Sequence, residues 1–454
     1  MKLGTFIPRG ALALTAALTL GAQVCAAQPA NVKTLSFEGQ PPAREVPLIT
    51  GMGVHFGIGG QYNYVPEKAA AALRELGVDS FRDDLPWGTF EGAAGRADPP
   101  QPRRLFDFMA MTQAKPLLIL GHSNPEVTGG VKPMSEAGRA VFADFTVRAL
   151  AQTRRFGAMY EIWNEWNLTP GQRPPWLFGP GTADDPRAAQ HYAVLARGAV
   201  AALRDAAPDA VILSGAVGGD PGWDWTKAIV RDGALKGANG LSIHLYNHCE
   251  PDVTTRNATE LVDRASELQQ ALRRQTGAEV PFYVTEFGWP TVQWPCPIPR
   301  QAAADYIAQF LLWSAATPWI KGAWMYELKD QGTDPREIEQ NFGLYDYDYN
   351  PKPGACAARE AIKLIKGSRG FRLERPFKDF FLLQTSTDRG IRLVAWTTRE
   401  ETRGLLRLQG AKPTKVAALC NLVGPPRGDA LEIGTEPVVI DIDAPKVSAT
   451  ASMR

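Results

Sequence analysis

The sequence predicts a (β/α)8 TIM barrel followed by a small antiparallel β-sandwich-like domain, and three observations carry that reading. The chain has 454 residues, too many for one ordinary domain and enough for a barrel of roughly 250 residues with a second unit behind it. Eight short apolar runs alternate with longer stretches of helical periodicity, the pattern of βα units that close a parallel sheet. After about Gly367 this gives way to short runs of period two separated by turn residues, as in an antiparallel sheet.

Taken in order, residues 1–27 read as a signal peptide. Lys2 and Arg9 supply the positive region, the stretch from Ala11 to Ala22 the apolar run, and Val24-Cys25-Ala26 the cleavage region. The apolar run is too short to span a bilayer, and no later stretch is long enough, so the expectation is a periplasmic or secreted protein without a membrane span. Residues 28–47 form a proline-rich lead whose piece Val32–Glu38 suits a strand of the β domain. The barrel is expected over residues 48–366. Its strand runs are 51–56, 80–85, 115–121, 159–164, 210–215, 240–246, 281–286 and 322–327, and helical patterns cover 66–76, 136–156, 188–206, 258–274 and 300–316. An open doubly wound sheet would want a glycine-rich phosphate loop after its first strand, and residues 55–60 lack that spacing. The β-rich domain is expected over residues 367–445, with runs at 380–383, 391–397, 404–408, 416–422 and 438–442, and residues 446–454 are expected to be a disordered tail.

Composition narrows the function classes. Lys and Arg number 49 against 48 Asp and Glu, which argues against a nucleic-acid surface or a polyanion gripped by bulk charge. The default expectation for assembly is a monomer. Twelve tryptophans are many for this length, and indole faces stack on flat apolar surfaces such as sugar rings. Those at 166, 176, 223, 225, 289 and 294 fall in loops expected over the barrel mouth. Beyond Cys25, four cysteines remain and allow three pairings. Cys249–Cys296 is favoured because both fall in loops after neighbouring strands, and Cys356–Cys420 would then tie the barrel to the tail domain. None has CxxC spacing and the histidines are not clustered at ligand spacing, so neither a metal nor a cofactor is implied.

Barrel active sites lie at the C-terminal ends of the strands, so acidic residues there carry the functional question. The fourth run closes Tyr160-Glu161-Ile162-Trp163-Asn164-Glu165, and the seventh closes Phe282-Tyr283-Val284-Thr285-Glu286-Phe287-Gly288-Trp289. Strands four and seven face each other across a barrel mouth, so Glu165 and Glu286 can meet over one bond of a substrate. Such a pair can supply a proton donor and a nucleophile. Glu161, deeper along the strand, reads as structural.

Asn164-Glu165 and Glu286 in these two strands resemble the signature of the clan of retaining (β/α)8 glycosidases. The segment Glu161 to Glu165 is more narrowly similar to glycoside hydrolase family 39, within it to exopolysaccharide endoglycosidases. The resemblance covers roughly Leu48 to Pro353. It implies Glu165 as acid/base and Glu286 as nucleophile in a double displacement, with a polysaccharide or oligosaccharide as partner and no cofactor. It implies that Asn164 bonds the sugar 2-OH, Tyr246 holds the nucleophile, and Arg82 pairs with it. His244 and His122 would line the pocket, Trp324 would be the sugar platform, and Glu327 would bond sugar hydroxyls. His55 is a further pocket candidate, while Asp83 and Asp84 lean towards a structural role in the second loop. Two flanks depart from the family's xylosidases, which more often show Pro after the acid/base and Trp-Asn after the nucleophile. Here Trp166 and Phe287-Gly288-Trp289 stand in those places. The catalytic chemistry therefore carries over more firmly than exo-xylosidase specificity. The competing readings are an exo-acting β-glycosidase and a polysaccharide-binding envelope protein that cuts nothing.

Overall fold

The computed structural model describes residues 32–58, 62–91, 102–168, 188–387, 390–420 and 430–454. The expected signal peptide and Trp176 lie outside them. Strand β1, Val32–Glu38, precedes the barrel. The barrel strands are β2 (Ile49–Gly53), β3 (Ser80–Pro86), β4 (Lys115–Gly121), β5 (Met159–Ile162), β6 (Ile212–Val217), β7 (Gly240–Leu245), β8 (Phe282–Phe287) and β9 (Ile320–Met325). All pair in parallel, and β9 returns to β2 to close the ring. The helices are α1 (Pro66–Leu76), α2 (Trp87–Glu91), α3 (Arg103–Met111), α4 (Pro125–Thr128), α5 (Glu136–Thr153), α6 (Ala189–Ala206), α7 (Asp224–Arg231), α8 (Ala258–Thr276), α9 (Arg300–Ala316) and α10 (Pro353–Lys366).

Local chemistry sets several ends. The Ser135 hydroxyl accepts from Gly138 N to start α5, the Asn257 side chain accepts from Glu260 N to start α8, and Gly277 ends α8 at φ 77°. Helix α9 is apolar almost throughout and buried on nearly all sides. It runs between the barrel wall and the second domain, which removes the need for a polar face. Arg44, in the lead, donates to the carbonyls of Ser314, Ala315, Thr317 and Ile320 and so caps the chain leaving α9.

The second domain is a sandwich. Strands β10 (Phe371–Phe377), β11 (Phe380–Thr387), β12 (Gly390–Thr397), β13 (Gly404–Gln409), β14 (Pro413–Ala418), β15 (Leu431–Ile433), β16 (Val438–Ile442) and β17 (Lys446–Met453) form two antiparallel sheets together with β1. One has the order β1-β17-β13-β15 and the other β10-β11-β12-β16-β14. Phe380, Leu382, Leu393 and Ile440 face Phe37, Leu406, Val447 and Ala449 in the sandwich core. Phe381, Leu383, Val394 and Trp396 point the other way and join the barrel core. Both faces of this sheet are covered, so its central strands read as unbroken apolar runs.

Residues 446–453 are strand rather than disordered tail. Val447, Ala449 and Ala451 alternate inwards against hydroxyl-bearing residues facing out. The strand lies between β1 and β13 and pairs with both. Disulfides join Cys249 to Cys296 and Cys356 to Cys420. Among the described residues, no helix is long and apolar enough to cross a membrane.

Candidate active site

Three strand ends are irregular where the site is built. Register shifts fall between Ser214 and Val217, Ile243 and His244, and Val284 and Phe287. Such bulges re-aim side chains at barrel rims. After β5 the chain turns through Trp163 at φ 69° and Glu165 at φ 45°. Left-handed backbone at non-glycine residues costs roughly 1–3 kcal/mol each and collects where a side chain must be aimed. Gly218, after β6, leaves room for the result: a Cβ there would sit 2.3 Å from Glu165 Oε1.

Glu165 and Glu286 meet over a cleft of about 470 Å3. Oxygens of the two carboxylates and Nδ1 of His244 lie within 4.8 Å of one another. Arg82 organises the floor. Its Nε donates to Glu161 (2.6 Å), Nη1 to Glu286 Oε1 (2.6 Å), and Nη2 to Asn164 Oδ1 (2.8 Å) and His244 Nε2 (3.2 Å). A guanidinium can only donate, so Nε2 accepts and His244 carries its proton on Nδ1, directed at Glu165 Oε1 (2.8 Å) with Glu286 Oε2 at 3.5 Å. Tyr246 donates its hydroxyl to Glu286 Oε2 (2.7 Å). Burial alone would raise the Glu286 pKa, but His244, Arg82 and the Tyr246 hydroxyl outweigh it and hold the carboxyl below its ordinary value. Burial likewise opposes charge on His244, and the two carboxylates reverse that, raising its pKa.

Most of the predicted residues therefore converge. Arg82, Asn164, His122, Tyr246 and both glutamates line the cleft, as does His55. His244 is wholly buried behind the pair. His122 bonds Asp84 Oδ1 (2.8 Å), which helps hold that carboxyl below its ordinary pKa despite burial. Asp83 accepts from the backbone of Phe56, Gly57 and Asp84, a staple between the first two strand ends, and burial pushes its pKa up to about 7. Glu161 is fully buried below the cleft and accepts from Arg82 Nε, which orients the guanidinium.

Two predicted residues are elsewhere. Trp324 is fully buried inside the barrel with Leu117, Met159, Leu213 and Tyr283, and its indole nitrogen donates to Ser80 Oγ (3.0 Å). It pairs in register with Gly51, itself opposite Ser80, so it occupies a deeper layer than the mouth. Gly51 and Gly322 leave the space it fills. Glu327 is also fully buried, behind His55, bonding its Nε2 (2.9 Å) and accepting from the Tyr64 hydroxyl (3.0 Å). Tyr326 lines the cleft instead of either. Period two puts it on the same side as Trp324, one layer nearer the mouth, and that was the available signal. Glu339 and Phe342 also line the cleft from the loop after β9, and Glu339 accepts from the Tyr326 hydroxyl (3.3 Å). No periodicity marks that loop in the sequence.

The trio Glu165, His244 and Glu286 has the donor atoms of a cation site. Arg82 already bonds two of the three and supplies the compensating positive charge. A larger cavity of about 760 Å3 opens at the opposite end of the barrel, between the starts of the strands. That end of a barrel serves stability rather than chemistry.

No protein-family model matches the chain, and no curated protein matches it by sequence. Solved structures do match. A family 39 glycoside hydrolase from the gut symbiont Bacteroides cellulosilyticus superposes with a TM-score of 0.67 at 22% identity, covering 88% of this chain and 81% of that one. A monomeric β-xylosidase from Caulobacter crescentus gives 0.57 at 14% identity over 91% of this chain and 98% of that one. A family 39 enzyme from Xanthomonas axonopodis pv. citri gives 0.54 at 15% identity over 92% and 95%. What the chain shares with these glycoside hydrolases at such identities is their fold.

Proposed function

We propose that the protein is a retaining glycoside hydrolase that cuts within a β-linked bacterial exopolysaccharide. The observation that carries the retaining step is the closeness of the pair, in which one carboxylate oxygen of Glu165 lies within 4.8 Å of one of Glu286. Retaining enzymes hold their carboxyls about 5–5.5 Å apart, whereas inverting ones need about 6.5–9.5 Å to admit a water. Glu286, kept anionic by Arg82 and Tyr246, attacks the anomeric carbon. Glu165 gives its proton to the leaving oxygen, and the glycosidic bond breaks to a glycosyl-enzyme ester. Glu165 then takes a proton from water, which attacks the same carbon and frees Glu286. Asn164, held by Arg82, bonds the sugar 2-OH, and Tyr326 and Glu339 flank the sugar. The two disulfides suit an oxidising compartment, which agrees with an exported protein.

Incubation with bacterial exopolysaccharide, xylan and β-glucan, followed by reducing ends, product masses and the anomer first released, tests the reading. Glu165→Gln and Glu286→Gln should each lose about 10³-fold or more in rate, and the first product should keep the β configuration. An inverted first product would sink the double displacement. Release of single sugars from one end alone would favour the exo-acting alternative, which the likeness to a β-xylosidase supports.

A further inference from the structure

Of the tryptophans expected over the mouth, Trp166, Trp223, Trp225 and Trp289 are buried, 6% exposed or less. They are packing residues. Trp294 differs, with 66% of its surface in water. A single exposed apolar side chain is ordinary and explains nothing by itself. What sets Trp294 apart is how firmly its loop is held. Thr291 N donates to Asn341 O (3.0 Å) and Gln293 N to Pro335 O (2.8 Å). The Lys352 ammonium donates to Thr291 Oγ1 (3.0 Å). Two residues beyond Trp294, Cys296 is joined to Cys249 in the loop after β7. These anchors hold the backbone on both sides of Trp294. They also tie it to the cleft, because Asn341 stands between the lining residues Glu339 and Phe342. Trp294 lies three positions beyond Thr291, so the two backbones are at most about 11 Å apart.

We propose that Trp294 is the platform of a distal sugar subsite, continuing the cleft for a chain of β-linked pyranose residues beyond those at the catalytic pair. The proposal rests on the glycosidase reading and names the part of the substrate that a single sugar lacks. The C–H face of a pyranose ring is apolar, and stacking it on an indole removes both surfaces from water. A loop already fixed by a disulfide and backbone hydrogen bonds loses little further freedom on binding, so more of the stacking appears as affinity.

The test uses the full chain carrying Glu286→Gln, which removes turnover, and affinity electrophoresis through gels containing soluble β-glucan, glucomannan, xylan or bacterial exopolysaccharide. At least one of these should retard the protein. Adding Trp294→Ala should raise the dissociation constant about tenfold, and Trp294→Phe, which keeps a ring, should restore part of it. Cys249→Ser with Cys296→Ser should weaken binding comparably and add little on top of Trp294→Ala, as coupled sites do. No retardation in any gel, or equal retardation with and without Trp294, overturns the proposal. In the active enzyme, Trp294→Ala should lower kcat/KM on the polymer about tenfold relative to an aryl glycoside. Polymer cleavage that depends on Glu165 but not on Trp294 would leave the hydrolase and remove the platform. Retardation that depends on Trp294 in a chain that cleaves nothing would do the reverse.

Discussion

Arg82 reaches four neighbours from one guanidinium, and most of the site's geometry follows from that fork. The family resemblance put Arg82, Tyr246 and Asn164 beside the two glutamates, while strand ends and period-two alternation say only which residues can face the mouth. Depth is harder to read. Trp324 and Tyr326 share a side, and only the stagger between strands decides which fills the barrel and which lines the cleft. Gly218 is the most economical probe of the proposed acid/base. Alanine suits its backbone, yet a Cβ would stand 2.3 Å from Glu165 Oε1. Gly218→Ala should therefore displace Glu165 and lower kcat about 10²-fold, the scale of a misplacement near 1 Å. An unchanged kcat would show that Glu165 sits elsewhere in the working enzyme. A second probe is pH. Burial alone would push His55 down, but Glu327, bonded to it and fully buried, outweighs that and lifts the pKa from 6.5 to about 9. Because the folded value lies above the unfolded one, the stabilisation is complete below pH 6.5 and lost as pH rises through about 9. Unfolding in urea should show a decline of a few kcal/mol across that window, and Glu327→Gln should flatten it. A slope unaltered by Glu327→Gln would assign the titration to another group.

At the scale of elements, the barrel was legible because each βα unit repeats the same two periods. All eight strands overlap the apolar runs that were read, with ends moved by none to three residues. The second domain was less legible. Strand β10 carries charges and half-buried positions, β15 has only three residues, and β17 is built from small and hydroxyl-bearing residues. None contrasts strongly with a turn. What identifies them is pairing across the sandwich, in which β17 meets a strand more than 400 residues away, and no local window contains that information. Helix α9 lacks a polar face because the second domain presses on the barrel there, and no local pattern says which helix takes that contact.

For the molecule as a whole, the two domains share an interface of defined polar contacts. The Gln309 amide donates to the carbonyls of Thr397 (3.1 Å) and Thr435 (2.7 Å), the Thr435 hydroxyl donates to Asp305 (2.6 Å), and Arg375 forms a forked pair with Asp263. Cys356–Cys420 fastens α10 of the barrel to the chain just after β14 across 64 residues. Closing a loop of that length in the unfolded chain is worth up to about 4 kcal/mol. Cys356→Ser with Cys420→Ser should lower the urea midpoint accordingly while kcat at 25 °C holds. An unchanged midpoint would mean that the domain interface alone sets the stability. The pairing of β1 with β17 has a further consequence, in the order of events during synthesis. The barrel can assemble as its strands emerge, because each βα unit finds its neighbour at once. The four-stranded sheet cannot, since β1 must wait, unpaired and with Phe37 uncovered, until β17 has left the ribosome. A message cut short just before β17 would thus yield a finished barrel beside a sandwich with an open hydrophobic seam, the kind of surface by which quality-control proteases tell an incomplete chain from a complete one.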